Sequence, residues 1–98
     1  MAARERAFGA QVRTAIARRQ LYPSAARARE ITGATLLRVT ITRNGRLLRA
    51  AVARTSGSAL LDKASLDAAR GASPYPTAPN DLVGQQFTFD IRLVYALQ

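Results

Sequence analysis

The sequence predicts a small α+β domain in which a three-stranded antiparallel sheet is covered on one face by helices. Three observations carry that expectation. Ala34–Arg54 alternates apolar and polar residues on both sides of Asn44-Gly45, as a hairpin does. Gln85–Leu97 alternates again, more strongly. Ala3–Gln20 and Ala59–Arg70 instead space their apolar residues at the helical period.

In chain order, Ala3–Gln20 places Phe8, Val12 and Ile16 on one stripe with Ala15 beside them, while Arg4, Arg6, Arg13, Arg18 and Arg19 fall largely off it. Gly9 weakens this helix by about 1 kcal/mol relative to Ala. Pro23 requires the helix to stop, because the residue before a proline is pushed out of the α region. Ser24–Glu30 reads as a short helix starting at Pro23 or Ser24, with Gly33 ending it or bending the chain into the first strand.

In the hairpin, Thr35, Leu37, Val39 and Ile41 share a face. Asn44-Gly45 suits a type I′ turn, and Leu48, Ala50 and Val52 line one face of the return strand. A lone hairpin is marginal in water, so its apolar face needs a cover. Thr55-Ser56-Gly57-Ser58 reads as a loop ending in an N-cap, and Ala59–Arg70 as the covering helix. Leu60, Leu61, Ala64 and Ala68 form its apolar side, Asp62 and Arg70 suit its dipole, and Gly71 is a C′ candidate. Ser73–Gly84, with three prolines, is an extended loop. In the last strand Phe87, Phe89, Ile91, Leu93 and Tyr95 share one face, and the strand is expected to lie antiparallel beside the hairpin. An outer edge of such a sheet would be open.

The chain of 98 residues, 48% hydrophobic, is long enough for one globular domain, and no apolar run is long enough to span a membrane. It contains neither Cys nor His, which excludes disulfides, the usual zinc sites and His-based acid–base catalysis. The six acids form no acid–base pair, and Ser56 has no His to activate it. The glycines form no phosphate-cradling loop, so neither enzymatic activity nor a cofactor is expected. The net charge of +9 is uneven: residues 1–54 carry +10 and residues 55–98 carry −1. Such asymmetry suits nucleic acid, an anionic membrane or an acidic protein. The excess of Arg over Lys also has a purely compositional reading in genomic base content. The strand aromatics share the face that must be core, whereas stacking platforms need exposed rings. Tyr22, held by Pro23 at an exposed joint, reads equally as a packed residue or a binding contact. The open sheet edge is the remaining candidate site, since its unpaired backbone groups can accept a partner strand.

The landmarks occur in a recognisable order. Tyr22-Pro23, Ala26-Arg27 and Gly33 come first, then Asn44-Gly45 and Thr55-Ser56-Gly57. Leu61-Asp62, Ala64, Leu66, Ala68 and Arg70 follow, then Pro74-Tyr75-Pro76-Thr77-Ala78-Pro79 and the final alternating strand. From about Gln20 to Tyr95 the chain resembles the C-terminal domain of TonB-type energy transducers, a group that includes HasB-like paralogues. Relative to that pattern it has Thr55 for a common Ser and lacks a proline near Asp90 and Ile91.

The resemblance implies a single periplasmic domain over residues 1–98, with an N-terminal amphipathic helix at 1–20 and an α+β core at 21–98. It implies a piece of a Gram-negative inner-membrane protein, with anchor and Pro-rich linker absent and Met1 an introduced start. The implied partners are the TonB-box segment of an outer-membrane transporter and, through the missing N-terminal part, an ExbB/ExbD-type complex. A homodimer is possible, and nucleic acid is not expected. The box segment would add to the last strand along Gln86, Phe87, Thr88, Phe89, Asp90, Ile91, Arg92, Leu93 and Val94. Arg18, Arg19, Gln20, Tyr22 and Pro23 would lie near the transporter, for uptake of siderophores, haem or cobalamin. The alternatives are a TolA-like envelope-spanning interaction domain, or a small basic nucleic-acid-binding domain.

Overall fold

A computed structural model describes residues 2–97; the expected domain limits at Met1 and Gln98 lie outside the described residues. The order is α1 (Ala2–Ala17), α2 (Ser24–Ala28), β1 (Gly33–Thr42), β2 (Leu47–Arg54), α3 (Ala59–Gly71) and β3 (Gln86–Tyr95). The three strands form one antiparallel sheet in the order β2-β1-β3, so β1 is central.

The core lies between one sheet face and the helices. Leu37, Val39 and Ile41 of β1 and Ile91, Leu93 and Tyr95 of β3 are buried there, as their period of two requires. From α1, Phe8, Val12 and Ile16 enter the same cluster. Phe8 meets Phe87 and Phe89 edge-on, with centroids 5.5 and 5.6 Å apart. Gly9 has a use that its helix propensity hides: a Cβ there would lie 3.2 Å from the Phe89 ring, so the glycine lets that ring approach α1.

α3 packs through Leu61, Ala68 and Ala69. Ser58 caps it, accepting from the Leu61 N–H. Ser65, fully buried, donates to the Leu61 carbonyl at 2.9 Å and lies 3.0 Å from the Tyr95 hydroxyl. The proline-containing loop after α3 is packed as well as extended. Tyr75 is buried and donates its hydroxyl to the Ala69 carbonyl at 2.5 Å, and burial pushes its phenol up to about 12.

Three local expectations are corrected, and one left open is decided. The hairpin turn is not type I′, because Asn44 keeps a negative φ and only Gly45 takes a positive one, at 90°. The Gly45 N–H donates to Thr42 O and the Thr42 N–H to Arg46 O, both at 2.9 Å. This is a three-residue loop, a type I turn closed by a left-handed glycine. The loop from Tyr75 to Gln85 selects it: the Tyr75 N–H donates to Gly45 O at 2.8 Å, and a Cβ on Gly45 would lie 2.0 Å from Tyr75 O.

Leu47, rather than Leu48, faces the core with Ala50 and Val52. Ile41 pairs with Leu47 while Thr40 pairs with Arg49, so a bulge at Leu48 shifts the alternation and leaves Leu48 exposed. Of the two expected readings of Gly33, the structure takes the second: it opens β1 and does not end α2. The helix closes on Glu30 at φ 55°, where the Glu30 N–H donates to Arg27 O and the Ile31 N–H to Ala26 O, at 3.0 and 2.9 Å, a Schellman arrangement. Finally, Gly71 is the last helical residue of α3, followed by a C-cap, Ala72, in the right-handed region.

Candidate strand-accepting edge

β3 is an edge strand, and its register shows which backbone groups it leaves outward. The Arg43 N–H donates to Gln85 O at 3.1 Å across the β1–β3 ladder. Hydrogen-bonded and non-bonded pairs alternate in an antiparallel ladder, so the odd-numbered residues of β3 turn their N–H and C=O toward β1. Gln86, Thr88, Asp90, Arg92 and Val94 turn theirs away from the sheet. The Val94 carbonyl is met by Gln20, whose Nε2 donates to it at 2.8 Å. Among the described residues the outward groups of Gln86–Arg92 receive no such partner, so roughly seven residues of strand stand ready for pairing.

The start of this edge is set by Arg43, which sequence reasoning missed. Its guanidinium donates to the carbonyls of Gly84 at 3.0 Å, Pro79 at 3.1 Å and Leu82, and lies over the Phe87 ring at 5.6 Å. The Arg43 carbonyl accepts from the Ala78 N–H at 2.9 Å. One residue of the hairpin turn thus delivers the chain into β3. An Arg beside Asn-Gly carries no local signal of this, because its partners are 36–41 residues away.

Along the edge runs an open groove of 490 Å³ between β3 and α1. Thr88–Ile91 form one side and Arg6, Gly9, Ala10 and Arg13 the other, with Glu5 at its end. The small residues Gly9 and Ala10 leave room on the helix side, and the two arginines make that wall basic. On the solvent-facing side of the strand, Arg38 of β1 holds Asp90 through bonds of 2.8 and 3.0 Å, keeping that carboxyl below its usual range. Thr40 and Thr88 pair beside them at 3.0 Å.

The two expected parts of the site therefore meet at one point, Gln20 on Val94. Arg18 and Arg19 leave the end of α1 exposed to solvent, and Leu21 is 77% exposed beside them. Pro23 is the N-cap of α2. Tyr22 is committed to packing: its hydroxyl donates to Ile31 O, its ring stands edge-on to Tyr95 at 5.6 Å, and Arg27 lies over it at 4.9 Å. Phe87, Phe89, Ile91 and Leu93 turn their side chains to the core and their backbone groups to β1, so a partner would meet the backbone of the even-numbered residues between them.

The other polar cluster is structural. Asp62 accepts from Thr35 Oγ1 at 2.8 Å, from the Ser56 N–H at 2.9 Å, from Ser56 Oγ at 2.8 Å and from Thr55 Oγ1. Partial burial pushes its carboxyl up, but the bonds from Thr55, Ser56 and Thr35 outweigh this and hold it at about 2. Among the described residues no cluster of acidic side chains could hold a metal ion, and no helix is long and apolar enough to cross a membrane.

Comparison with known proteins matches residues 18–97 to the family model described as the Gram-negative bacterial TonB protein C-terminal. The protein TonB of Pseudomonas putida is 37% identical over 68 residues, 69% of this chain, and the match spans 28% of that relative's length. The solution structure of residues 179–285 of the Helicobacter pylori TonB C-terminal domain superposes with a TM-score of 0.80 at 27% identity. It covers 94% of this chain and 82% of that one. A shorter piece of the same domain, residues 194–285, gives 0.67 at 27% identity, covering 91% and 92%.

Proposed function

This chain belongs to the family of Gram-negative bacterial TonB C-terminal domains, and from that premise we propose that it grips a transporter segment by strand addition at β3. The supporting observation is the run of outward backbone groups from Gln86 to Arg92, ended by Gln20 on the Val94 carbonyl. An incoming TonB-box strand would exchange main-chain hydrogen bonds with Gln86, Thr88, Asp90 and Arg92. Its last residues would compete with Gln20 for Val94, and Arg18 and Arg19 would meet acidic groups on the box or on the transporter. The domain then acts by binding and by transmitting force, not by catalysis. Its setting is the periplasm, as part of a longer inner-membrane protein driven by an ExbB/ExbD-type complex, and its service is the uptake of siderophores, haem or cobalamin. An N-terminal amphipathic helix at 1–20 and an α+β core at 21–98 are proposed as parts of one domain.

Titration of the labelled domain with a TonB-box peptide tests this. Backbone amide shifts concentrated in 86–94 and 18–23 are expected. Shifts confined to arginines of α1 and the hairpin would mean charge attraction alone and would favour an envelope-linker role. Absence of any shift in 86–94 at millimolar peptide removes the proposal.

A further inference from the structure

The sheet face turned away from the helices takes no part in strand addition, and its residues follow from the register. Leu36 lies between Arg54 on β2 and Arg92 on β3. Arg38 lies between Ala51 and Asp90, and Thr40 between Arg49 and Thr88. Directly opposed residues share a face. Leu37, Val39 and Ile41 are buried on the other face, so these three rows look outward. With strands about 4.8 Å apart and alternate residues about 6.8 Å apart, four arginines stand within roughly 10 × 14 Å. All four are exposed. The face has one carboxylate, Asp90, and Arg38 already occupies it. Arg49, Arg54 and Arg92 have no ion-pair partner among the described residues.

We propose that this face docks on an anionic lipid surface, with Arg49, Arg54 and Arg92 contacting headgroup phosphates. The guanidinium fork matches phosphate oxygens two at a time and is only weakly hydrated. Three features choose a lipid surface over other anions. The side chains between the arginines, Leu36, Ala51, Thr40 and Thr88, are all shorter than an arginine, so the charged heads can reach one plane. Apolar side chains border the patch, with Val94 51% exposed and Leu48 42% exposed. The aromatic residues of β3 all point to the core, so no ring is offered for base stacking. Strand addition would extend the sheet at its β3 edge and leave this face free, so the inference stands apart from the TonB-box reading.

The test is co-sedimentation of the whole 98-residue chain with phosphatidylcholine vesicles, alone and mixed with phosphatidylglycerol. Two charge-matched triple variants are compared: Arg49→Gln/Arg54→Gln/Arg92→Gln, and Arg6→Gln/Arg13→Gln/Arg29→Gln on the helical side. The native chain is expected on the mixed vesicles only. The first triple is expected to lower partition roughly a hundredfold, since each arginine near an anionic surface contributes about fivefold, and the second only a few-fold. Circular dichroism establishes that both fold; should the first not fold, Arg49→Lys/Arg54→Lys/Arg92→Lys is read instead, with partial loss expected. No binding to mixed vesicles overturns the proposal, as does equal loss in both triples, which would mean net charge alone. Retention on duplex DNA that depends on the same three arginines, without vesicle binding, assigns the face to nucleic acid and overturns it too.

Discussion

Replacing Asp62 by Ala should be among the most damaging single changes near the surface of this domain. The carboxylate is a shared acceptor for four donors that tie together three elements: Thr35 from β1, Thr55 and Ser56 from the loop after β2, and α3, on which Asp62 sits. Hydrogen bonds to a charged group contribute about 1.5–3 kcal/mol each, and a carboxylate in a helix first turn about 0.3–1 kcal/mol more. The contributions do not add fully, because water can reach Thr55 and part of Ser56 in the variant. Thr35 is fully buried and would be left without its acceptor. A loss of about 3 kcal/mol is therefore expected for Asp62→Ala, and about 1–2 kcal/mol for Asp62→Asn, which keeps one oxygen but adds an N–H where only acceptance is useful.

Urea unfolding followed by circular dichroism reads both values. The same cluster gives a pH signature. The folded carboxyl is held at about 2, against about 3.8 when free, so the native state binds fewer protons than the unfolded state between these values. The contribution is complete above pH ~5 and is lost as pH falls toward 2, amounting to about 1–2 kcal/mol after allowance for solvent screening. Asp62→Asn should remove that part of the acid slope and leave the rest. A loss below about 1 kcal/mol in Asp62→Ala, or an unchanged acid slope in Asp62→Asn, would refute the reasoning that this carboxylate fastens the three elements.

Three further outcomes are expected. Glu30→Gly should raise stability by about 1 kcal/mol in the same unfolding experiment, because it relieves a side chain held at positive φ without disturbing the Schellman bonds. Gly45→Ala should cost at least about 2 kcal/mol, since a methyl group would collide with the Tyr75 carbonyl and part the proline-containing loop from the turn. Phe8→Ala should cost about 3 kcal/mol and free α1 from β3, seen as faster amide exchange along Ala2–Ala17 while β1 stays protected.

What the sequence determined alone is what short-range pattern can encode. The alternation in Thr35–Ile41 and Phe87–Tyr95 and the Phe8–Val12–Ile16 stripe each name an element and its buried face, because 2.0 and 3.6 periods are local properties of the backbone. The order of turn residues and prolines carried the family. Tertiary structure decided what depends on chain far away. Asn-Gly is compatible with several turns, and the close approach of Tyr75 selects one in which only Gly45 is left-handed. The bulge at Leu48 exchanges Leu48 for Leu47 in the core, a shift that a strict two-residue period cannot anticipate. Glu30, with no sequence mark of a helix end, holds a left-handed position because the bonds to Ala26 and Arg27 stabilise it there. The candidate edge divides the same way. Its strand was legible from residues 86–94, but the partners that fix its ends, Arg43 at the start and Gln20 at Val94, are joined to it only by folding. Their hydrogen bonds span 36 to 74 residues, and a polar side chain carries no pattern that names a partner at that distance.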